Sequence, residues 1–400
     1  MTERVYLNNP YLRQLDARIV EKIYKDDKYY IKTNRTIFYP NLAGGQPGDK
    51  GTISGVKVLD TYNDNEDIVH VVQDNIQSDK VLLSIDWYNR FDYMQQHSGQ
   101  HLLSAVFYKL FNGETVGFYI GKEYVYIDVN LPTINDEEII KIEEFANKII
   151  FSNFPMKSYI IEKSELNKLP NIKNSVTNSK IRIVEIDGID FSPCCGTHLR
   201  HTGEIGLIKI RKVENYKGNI RVEFVCGNRA LKDYTWKNNH IKNIANLLSS
   251  KDKDVQDKVF KLYNQKEELE KTNKALKEEL CIYKGDKLLD SAKNINGFNF
   301  IYSEFKDLKF NEVNNIASYL MDLNKNIILF GIYNKEYFQF LIGRSSDINI
   351  NMKNIFKNVS ENLDIKGGGS NQVVQGKCEK NNLDLVLNSF YENIIREIQN

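Results

Sequence analysis

Gln96-His97-Ser98-Gly99-Gln100-His101 and Cys194-Cys195-Gly196-Thr197-His198 are the two stretches whose reading decides the fold and the chemistry of this chain. The first places two imidazoles four residues apart, a spacing that stacks them one above the other on a helix, as a shared ion requires. The second supplies thiols and a further imidazole within one turn. The chain has six histidines, and four of them (His97, His101, His198 and His201) fall in or beside these stretches. Either motif alone is weak, because many helices carry His-x-x-x-His by accident and buried hydrogen-bonded histidines are common. Together they form a Cys/His₃ donor set, the mixture of borderline-soft sulfur and nitrogen that zinc accepts. Spacing alone leaves Cys194 and Cys195 both within reach, and His201 competes with His198.

The surrounding sequence suits such a site. From Arg90 to about Leu110 the period is helical, with Met94, His101, Ala105 and Tyr108 on one face and His97 beside them. Strand-like runs follow at 124–129 and 181–186, with a helix expected from Asp136 to about Asn153. Two more strands are expected at 205–210 and 220–225, completing an α+β module around the cysteine-histidine turn. Upstream, residues 1–88 read as β-rich, with strands such as Tyr29–Lys32 and Ile68–Val72. Locally, Phe38-Tyr39-Pro40-Asn41-Leu42-Ala43-Gly44-Gly45-Gln46-Pro47 reads as a glycine-proline connection between strands. Downstream, 229–292 reads as mostly helical. Val255, Val259, Leu262, Leu269, Leu276, Leu280 and Tyr283 fall on one seam, interrupted by Lys266 and Asn273. That pattern suits an amphipathic helix packed on its own domain or a dimerising coiled coil. A last α/β unit carries a hairpin, Ile327–Tyr333 and Phe338–Gly343 around Asn334-Lys335-Glu336, and a helix near 351–363. It ends in Lys366-Gly367-Gly368-Gly369-Ser370, whose unshielded amides can approach a phosphate closely.

Composition narrows the function classes. Four hundred residues suggest two or three domains, and 41% hydrophobic with 27% charged residues is ordinary for a soluble globular chain. A net charge of +1 gives no global electrostatic case for nucleic acid, so any basic surface is local. The N-terminus has no apolar core of signal-peptide length, and no apolar run is long enough to span a bilayer. Five irregularly spaced cysteines favour reduced thiols over a disulfide framework. A soluble cytoplasmic protein without membrane partners is expected.

His97-Ser98-Gly99-Gln100-His101-Leu102-Leu103 and Cys194-Cys195-Gly196-Thr197-His198 resemble the zinc motifs of the alanyl-tRNA synthetase editing domain and of the free-standing alanyl-tRNA editing proteins (AlaX). The family pattern Cys-x-x-x-His selects Cys194, so the resemblance implies one zinc ion per chain on His97, His101, Cys194 and His198. Tyr39-Pro40 through Gly44-Gly45-Gln46-Pro47 is similar to the family's glycine-rich loop, with Ala43 in place of its usual first glycine. Asp86-Trp87-Tyr88-Asn89-Arg90 resembles the approach to the histidine helix. Gly117-Phe118-Tyr119-Ile120-Gly121 is similar to the strand behind the pocket, with Tyr119 where a histidine is common. Lys217–Phe224 fits as well. Gly367-Gly368-Gly369 resembles the glycine loop of the synthetase's C-terminal domain, although the second glycine pair is reduced to Gly376.

The resemblance covers nearly the whole chain and implies a long-form, stand-alone editing protein. Its expected architecture is α+β and multidomain. A β-barrel-like domain with the glycine-rich loop (1–88) precedes a zinc editing domain (89–248), a helical or coiled-coil arm (249–292) and a C-terminal α/β glycine-loop domain (293–400). It begins at the editing region, so no aminoacylation domain is expected, and the chain lacks the Asp-His-His of a phosphodiesterase centre. The implied activity is zinc-dependent deacylation of mischarged tRNA(Ala), chiefly seryl and in addition glycyl, with the tRNA acceptor end as partner. Gly367–Gly369 are the expected tRNA contacts, and a homodimer through the arm or C-terminal domain is a further expectation. Alanine and serine differ by one hydroxyl, which a synthetic pocket rejects only modestly, so a second hydrolytic site is the physical remedy. Gln46 and Gln100 are the expected partners for that hydroxyl. Glu185, Asp187 and Asp190 read most simply as solvated carboxylates, and alternatively as orienters of the ligand histidines. Four protein ligands close a tetrahedral zinc, whereas catalytic zinc keeps a position open. A tRNA-binding protein with structural zinc is therefore the first rival, ahead of a threonyl-type editing domain and a general zinc hydrolase.

Overall fold

Strict alternation shapes the strand that closes the barrel. In Lys80–Ile85 the side chains of Val81, Leu83 and Ile85 turn inward while Lys80 and Leu82 face out. A computed structural model describes residues 1–41, 43–169, 179–334, 337–379 and 382–399. In it, six strands close into a barrel in the order Gln14–Lys25, Lys28–Thr33, Asp67–Val72, Val56–Asp64, Gly51–Ile53 and Lys80–Ile85, the last pairing back with the first. Ile31, Ile53, Val58, Val72, Val81 and Leu83 fill it. The chain divides into two compact units, Met1–Leu247 and Leu248–Asn400.

The first unit also holds a four-stranded antiparallel sheet, Ile208–Tyr216, Asn219–Cys226, Val125–Val129 and Thr115–Ile120 in spatial order. Helices Trp87–Phe111 and Asp136–Phe151 contribute Leu102, Leu103, Val106, Phe107, Ile142 and Ile150 to the core they share with Ile127, Val222 and Phe224. A second sheet, Met156–Glu162, Lys180–Ile186 and Asp190–Pro193, leads into the cysteine turn. Two expectations need correction. The helix expected to about Asn153 ends at Phe151, and Asn153 is left-handed at φ 54°. The strand expected from Ile205 begins at Ile208, because Gly206 at φ 83° turns the chain and Ile205 closes a short 3₁₀ turn. Burial in the histidine helix runs around its middle, from Tyr93 to Leu103, and does not follow a single stripe.

In the second unit a mixed sheet runs in the order Lys293–Ile295, Phe298–Phe305, Asn326–Tyr333, Phe338–Arg344, Val373–Cys378 and Ile365–Gly369. Phe298–Phe305 and Asn326–Tyr333 are parallel, joined through helix Phe310–Asp322. Asn326–Tyr333 and Phe338–Arg344 form the expected antiparallel hairpin; Lys335 and Glu336 of its turn lie outside the described residues. Alternate residues of the central strands serve two cores, Leu329 and Phe340 against helices Met352–Asn362 and Leu383–Gln399, Phe330 and Leu341 against Phe310–Asp322. Helix Val255–Asp290 packs on this unit through its last turns, where Gly285 lets Tyr319 and Leu320 approach. Of the apolar seam, Val255 is buried, while Val259, Leu262, Leu269, Leu276, Leu280 and Tyr283 are exposed. Gly367–Gly369 form an edge strand where a loop was expected. The glycines serve close pairing, since a Cβ on Gly367 would stand 2.2 Å from the Gln375 carbonyl oxygen. Among the described residues no helix is long and apolar enough to cross a membrane.

The barrel core contains one polar ring with a consequence for stability. His70 Nδ1 lies 3.2 Å from the Ile31 carbonyl, which only accepts, so Nδ1 carries the proton and Nε2 accepts from Thr36 Oγ1 at 2.8 Å. Burial pushes its pKa from 6.5 down to about 4, outweighing the Ile31 hydrogen bond. The unfolded chain takes up this proton below pH 6.5 and the folded barrel only near pH 4. Stability contributed by the neutral ring is therefore complete above pH 6.5 and is lost as pH falls through that window. The loss amounts to roughly 3 kcal/mol. Denaturant unfolding of wild type and His70→Gln from pH 7 to pH 4 checks this. The wild type is expected to lose more stability by about that amount, and parallel losses would contradict it.

Candidate metal centre

The histidine helix starts where Asp86 caps it, accepting from the backbone N–H of Tyr88 at 3.0 Å and of Asn89 at 3.3 Å. Just past the third turn, Gly99 lies against the sheet: a Cβ there would stand 2.3 Å from Cys226 Sγ, so only glycine lets the helix approach this closely. The helix thus presents His97 and His101 on one side, their ring centroids 5.2 Å apart. Opposite them the cysteine turn leaves strand Asp190–Pro193. Arg182 holds it, donating to the carbonyls of Cys194 at 2.8 Å and Gly196 at 3.1 Å. Beyond the turn, the Leu199 N–H donates to Ser98 Oγ at 3.1 Å, pinning turn to helix. A Cβ on Gly196 would stand 2.2 Å from the His97 ring, so the turn also touches the ring directly.

These elements bring His97, His101, Cys194 and His198 together, one donor atom from each lying within 4.8 Å of all the others. Cys194 Sγ is 3.5 Å from His97 Nε2 and 3.3 Å from His198 Nε2. Nitrogen and sulfur ligands about 2.0–2.3 Å from a zinc ion would be roughly 3.3–3.6 Å apart in a tetrahedron, and these two separations match that spacing. His101 Nε2 is buried without a protein partner. Cys195 is exposed and outside the group, and His201 points to Glu204.

The outer contacts fix each ring. Gln46 Oε1 accepts from the Thr197 backbone N–H at 3.2 Å, which settles the amide's orientation because that N–H can only donate. The same oxygen lies 2.9 Å from His97 Nδ1, so Nδ1 carries the proton and Nε2 offers its lone pair to the cluster. Gln46 Nε2 donates to Thr197 Oγ1 at 2.8 Å. Asp190 Oδ2, which accepts from Ser192 Oγ at 2.8 Å, lies 3.3 Å from His101 Nδ1. Of the three carboxylates noted in the sequence, Asp190 reaches a ring, Glu185 bonds Tyr159 and Asp187 is exposed in a turn. Gln100 donates to Ser104 Oγ at 2.9 Å, along its own helix.

Burial works to raise the Cys194 thiol, but the neighbouring imidazoles of His97, His198 and His101 outweigh it and hold the thiol well below its ordinary range. Burial holds His198 down at about 3, so its ring is neutral. For His101, burial is overcome by Asp190 and Cys194, which raise it to about 10. A thiolate beside a buried imidazole nitrogen without a geometric partner, His101 Nε2, is chemistry that a cation would complete, at the expense of the His101 proton.

Several contributors lie in stretches that carry the resemblance, but the sequence alone assigns them no role. Phe118 stacks on His97 with centroids 6.0 Å apart, and its ring would clash with a Cβ on Gly45, which seats the glycine-rich loop. The fully buried Arg90 donates to Asp49 Oδ1 at 2.9 Å and to its other oxygen, and also to the carbonyls of Pro10 and Ile37. The same loop contains Tyr39, buried with its hydroxyl unpartnered.

With this geometry established, known proteins supply the class. The domain family described as "Threonyl and Alanyl tRNA synthetase second additional domain" matches residues 181–223, which include the cysteine turn. Alanyl-tRNA editing protein AlaX-L of Pyrococcus horikoshii is 34% identical over 402 residues, covering 95% of each chain. Alanyl-tRNA editing protein Aarsd1 of Danio rerio is 30% identical, over 92% of this chain and 88% of that one. An alanine–tRNA ligase of Methanobrevibacter smithii is 30% identical over 92% of this chain but only 43% of its own length. The chain belongs to the alanyl-tRNA editing protein family.

The two adjacent cysteines give a direct check. Cys194→Ser is expected to empty the site, and Cys195→Ser to retain one metal per chain, measured by elemental analysis after dialysis against a weak chelator. Gln46→Ala is expected to weaken metal affinity about 10- to 100-fold by releasing His97. An emptied site in Cys195→Ser would contradict the assignment.

Proposed function

We propose that this protein hydrolyses the ester joining a mischarged amino acid to tRNA(Ala), chiefly serine and also glycine, at one zinc ion held by His97, His101, Cys194 and His198. The observation that carries this is the convergence of those four donors in a chain similar along almost its whole length to alanyl-tRNA editing proteins. A zinc ion in this donor set supplies Lewis acidity toward the ester carbonyl. The chain's own residues do the rest. Gln46 and Asp190 keep the rings of His97 and His101 in one orientation, which supports a site assembled before substrate arrives. Burial of the cluster excludes bulk water, which strengthens polar contacts made there.

The glycine strand Gly367–Gly369 is our candidate for contact with the tRNA backbone. Its place at a sheet edge, with open space around Gly368, supports close approach. The exposed apolar seam of helix Val255–Asp290 supports a second copy of the chain as a further partner. A structural zinc in a tRNA-binding protein is the second reading, favoured by the four-ligand count, since such sites are closed.

Single-turnover deacylation separates the two. Zinc-loaded protein is expected to release serine from seryl-tRNA(Ala) at least tenfold faster than alanine from alanyl-tRNA(Ala). Equal rates would contradict the selectivity, and no release from either with tRNA still bound would favour the structural-zinc reading.

A further inference from the structure

Among the described residues, the buried side-chain polar atoms without a hydrogen-bond partner are Tyr39 OH, Thr61 Oγ1, His101 Nε2, His198 Nδ1 and Ser250 Oγ. Native structures leave few such groups, and one beside an active centre asks what would satisfy it. The two histidine nitrogens belong to the metal cluster. Thr61 lies on a barrel strand, and Ser250 belongs to the second unit. Tyr39 is different, because it is held rigidly in the loop that carries Gln46.

Its backbone is fixed at both ends by one residue. The Tyr39 N–H donates to Asp49 Oδ2 at 2.5 Å, and its carbonyl accepts from the Asp49 N–H at 3.0 Å. Tyr6 packs edge-on against the ring, with centroids 5.4 Å apart. The residue has no exposed surface. Its hydroxyl reaches the glycine-rich loop: a Cβ on Gly44, which sits at φ +71°, would be 3.5 Å from it. Two residues further on, Gln46 touches His97. The phenol also lies in the field of Cys194, the strongest of the charges acting on it.

Both glutamines expected to meet a substrate hydroxyl have protein partners. Gln46 Oε1 holds two donors and its Nε2 holds Thr197 Oγ1, while Gln100 Nε2 is bonded to Ser104. We propose that Tyr39 is the specificity-determining residue of the editing site, its hydroxyl pairing with the hydroxyl of the mischarged amino acid. This rests on the deacylase reading above. A seryl group would satisfy the phenol, whereas the alanyl methyl would leave it buried and unpaired. That asymmetry is how a site rejects an analogue lacking a hydrogen-bonding group. Burial, helped by Cys194, Tyr6, Cys195 and Asp49, pushes the phenol's pKa well above its usual range, so it remains a neutral donor.

The test uses the full chain loaded with zinc, with Tyr39→Phe as the variant and non-hydrolysable 3′-seryl- and 3′-alanyl-amino-adenosines as probes. Wild type is expected to bind the seryl probe roughly 10- to 100-fold more tightly than the alanyl probe. Tyr39→Phe is expected to bring that ratio to about one while keeping one zinc per chain. Because the hydroxyl lacks a protein partner, the variant's melting temperature should be equal or higher. A retained seryl preference in Tyr39→Phe would overturn the proposal, as would equal binding of both probes by wild type, or a lowered melting temperature. Deacylation by wild type is read separately: probe discrimination without turnover would refute the deacylase reading and leave Tyr39 as the hydroxyl partner.

Discussion

Arg90 and Asp49 form a fully buried ion pair on which the rest of the first unit depends. Removing two charges from water is costly, and here the cost is offset only because the remaining hydrogen-bonding capacity is used. Arg90 also donates to the carbonyls of Pro10 and Ile37, and Asp49 also accepts from the Tyr39 N–H. The pair ties the barrel's long loop to the second turn of the histidine helix, two turns before His97. Truncating either partner would leave an uncompensated charge in the core, a loss of about 3–5 kcal/mol. The ion pair thus sets the position of Gln46, and through Gln46 the tautomer of His97.

The second constraint is backbone proximity. Gly99 and Gly196 occupy places where a Cβ would overlap Cys226 and His97 respectively, so helix, sheet and cysteine turn meet without side chains between them. Only at that separation can three imidazoles and a thiolate share one small volume. The assembly leaves His101 Nε2 and His198 Nδ1 buried without partners, a cost that a packed apolar core would avoid. A cation would satisfy His101 Nε2 and would be received by a Cys194 thiol that the neighbouring imidazoles already hold low. We see no partner for His198 Nδ1.

Much of this was legible in the residues because periodicity and side-chain chemistry are local signals. The histidine helix, the strands at 125–129 and 181–186, and the C-terminal hairpin follow from alternation and spacing. The four donors stood out because rare residues were concentrated in two short stretches. What was not legible depends on contacts distant in sequence. Gln46 reads as a substrate contact until Thr197, 151 residues away, is seen to bind both ends of its amide. Gly367–Gly369 read as a loop because glycine marks turns more often than edges. The neighbouring carbonyls that require glycine there lie on another strand.

The central claim, that these four residues bind one zinc ion through one sulfur and three nitrogens, is tested most directly by X-ray absorption at the zinc edge on the full-length protein. The account predicts a single sulfur shell near 2.3 Å with three nitrogens at about 2.0–2.1 Å. A two-sulfur shell, a shell of light atoms without sulfur, or protein that retains no zinc after purification in its presence would contradict it.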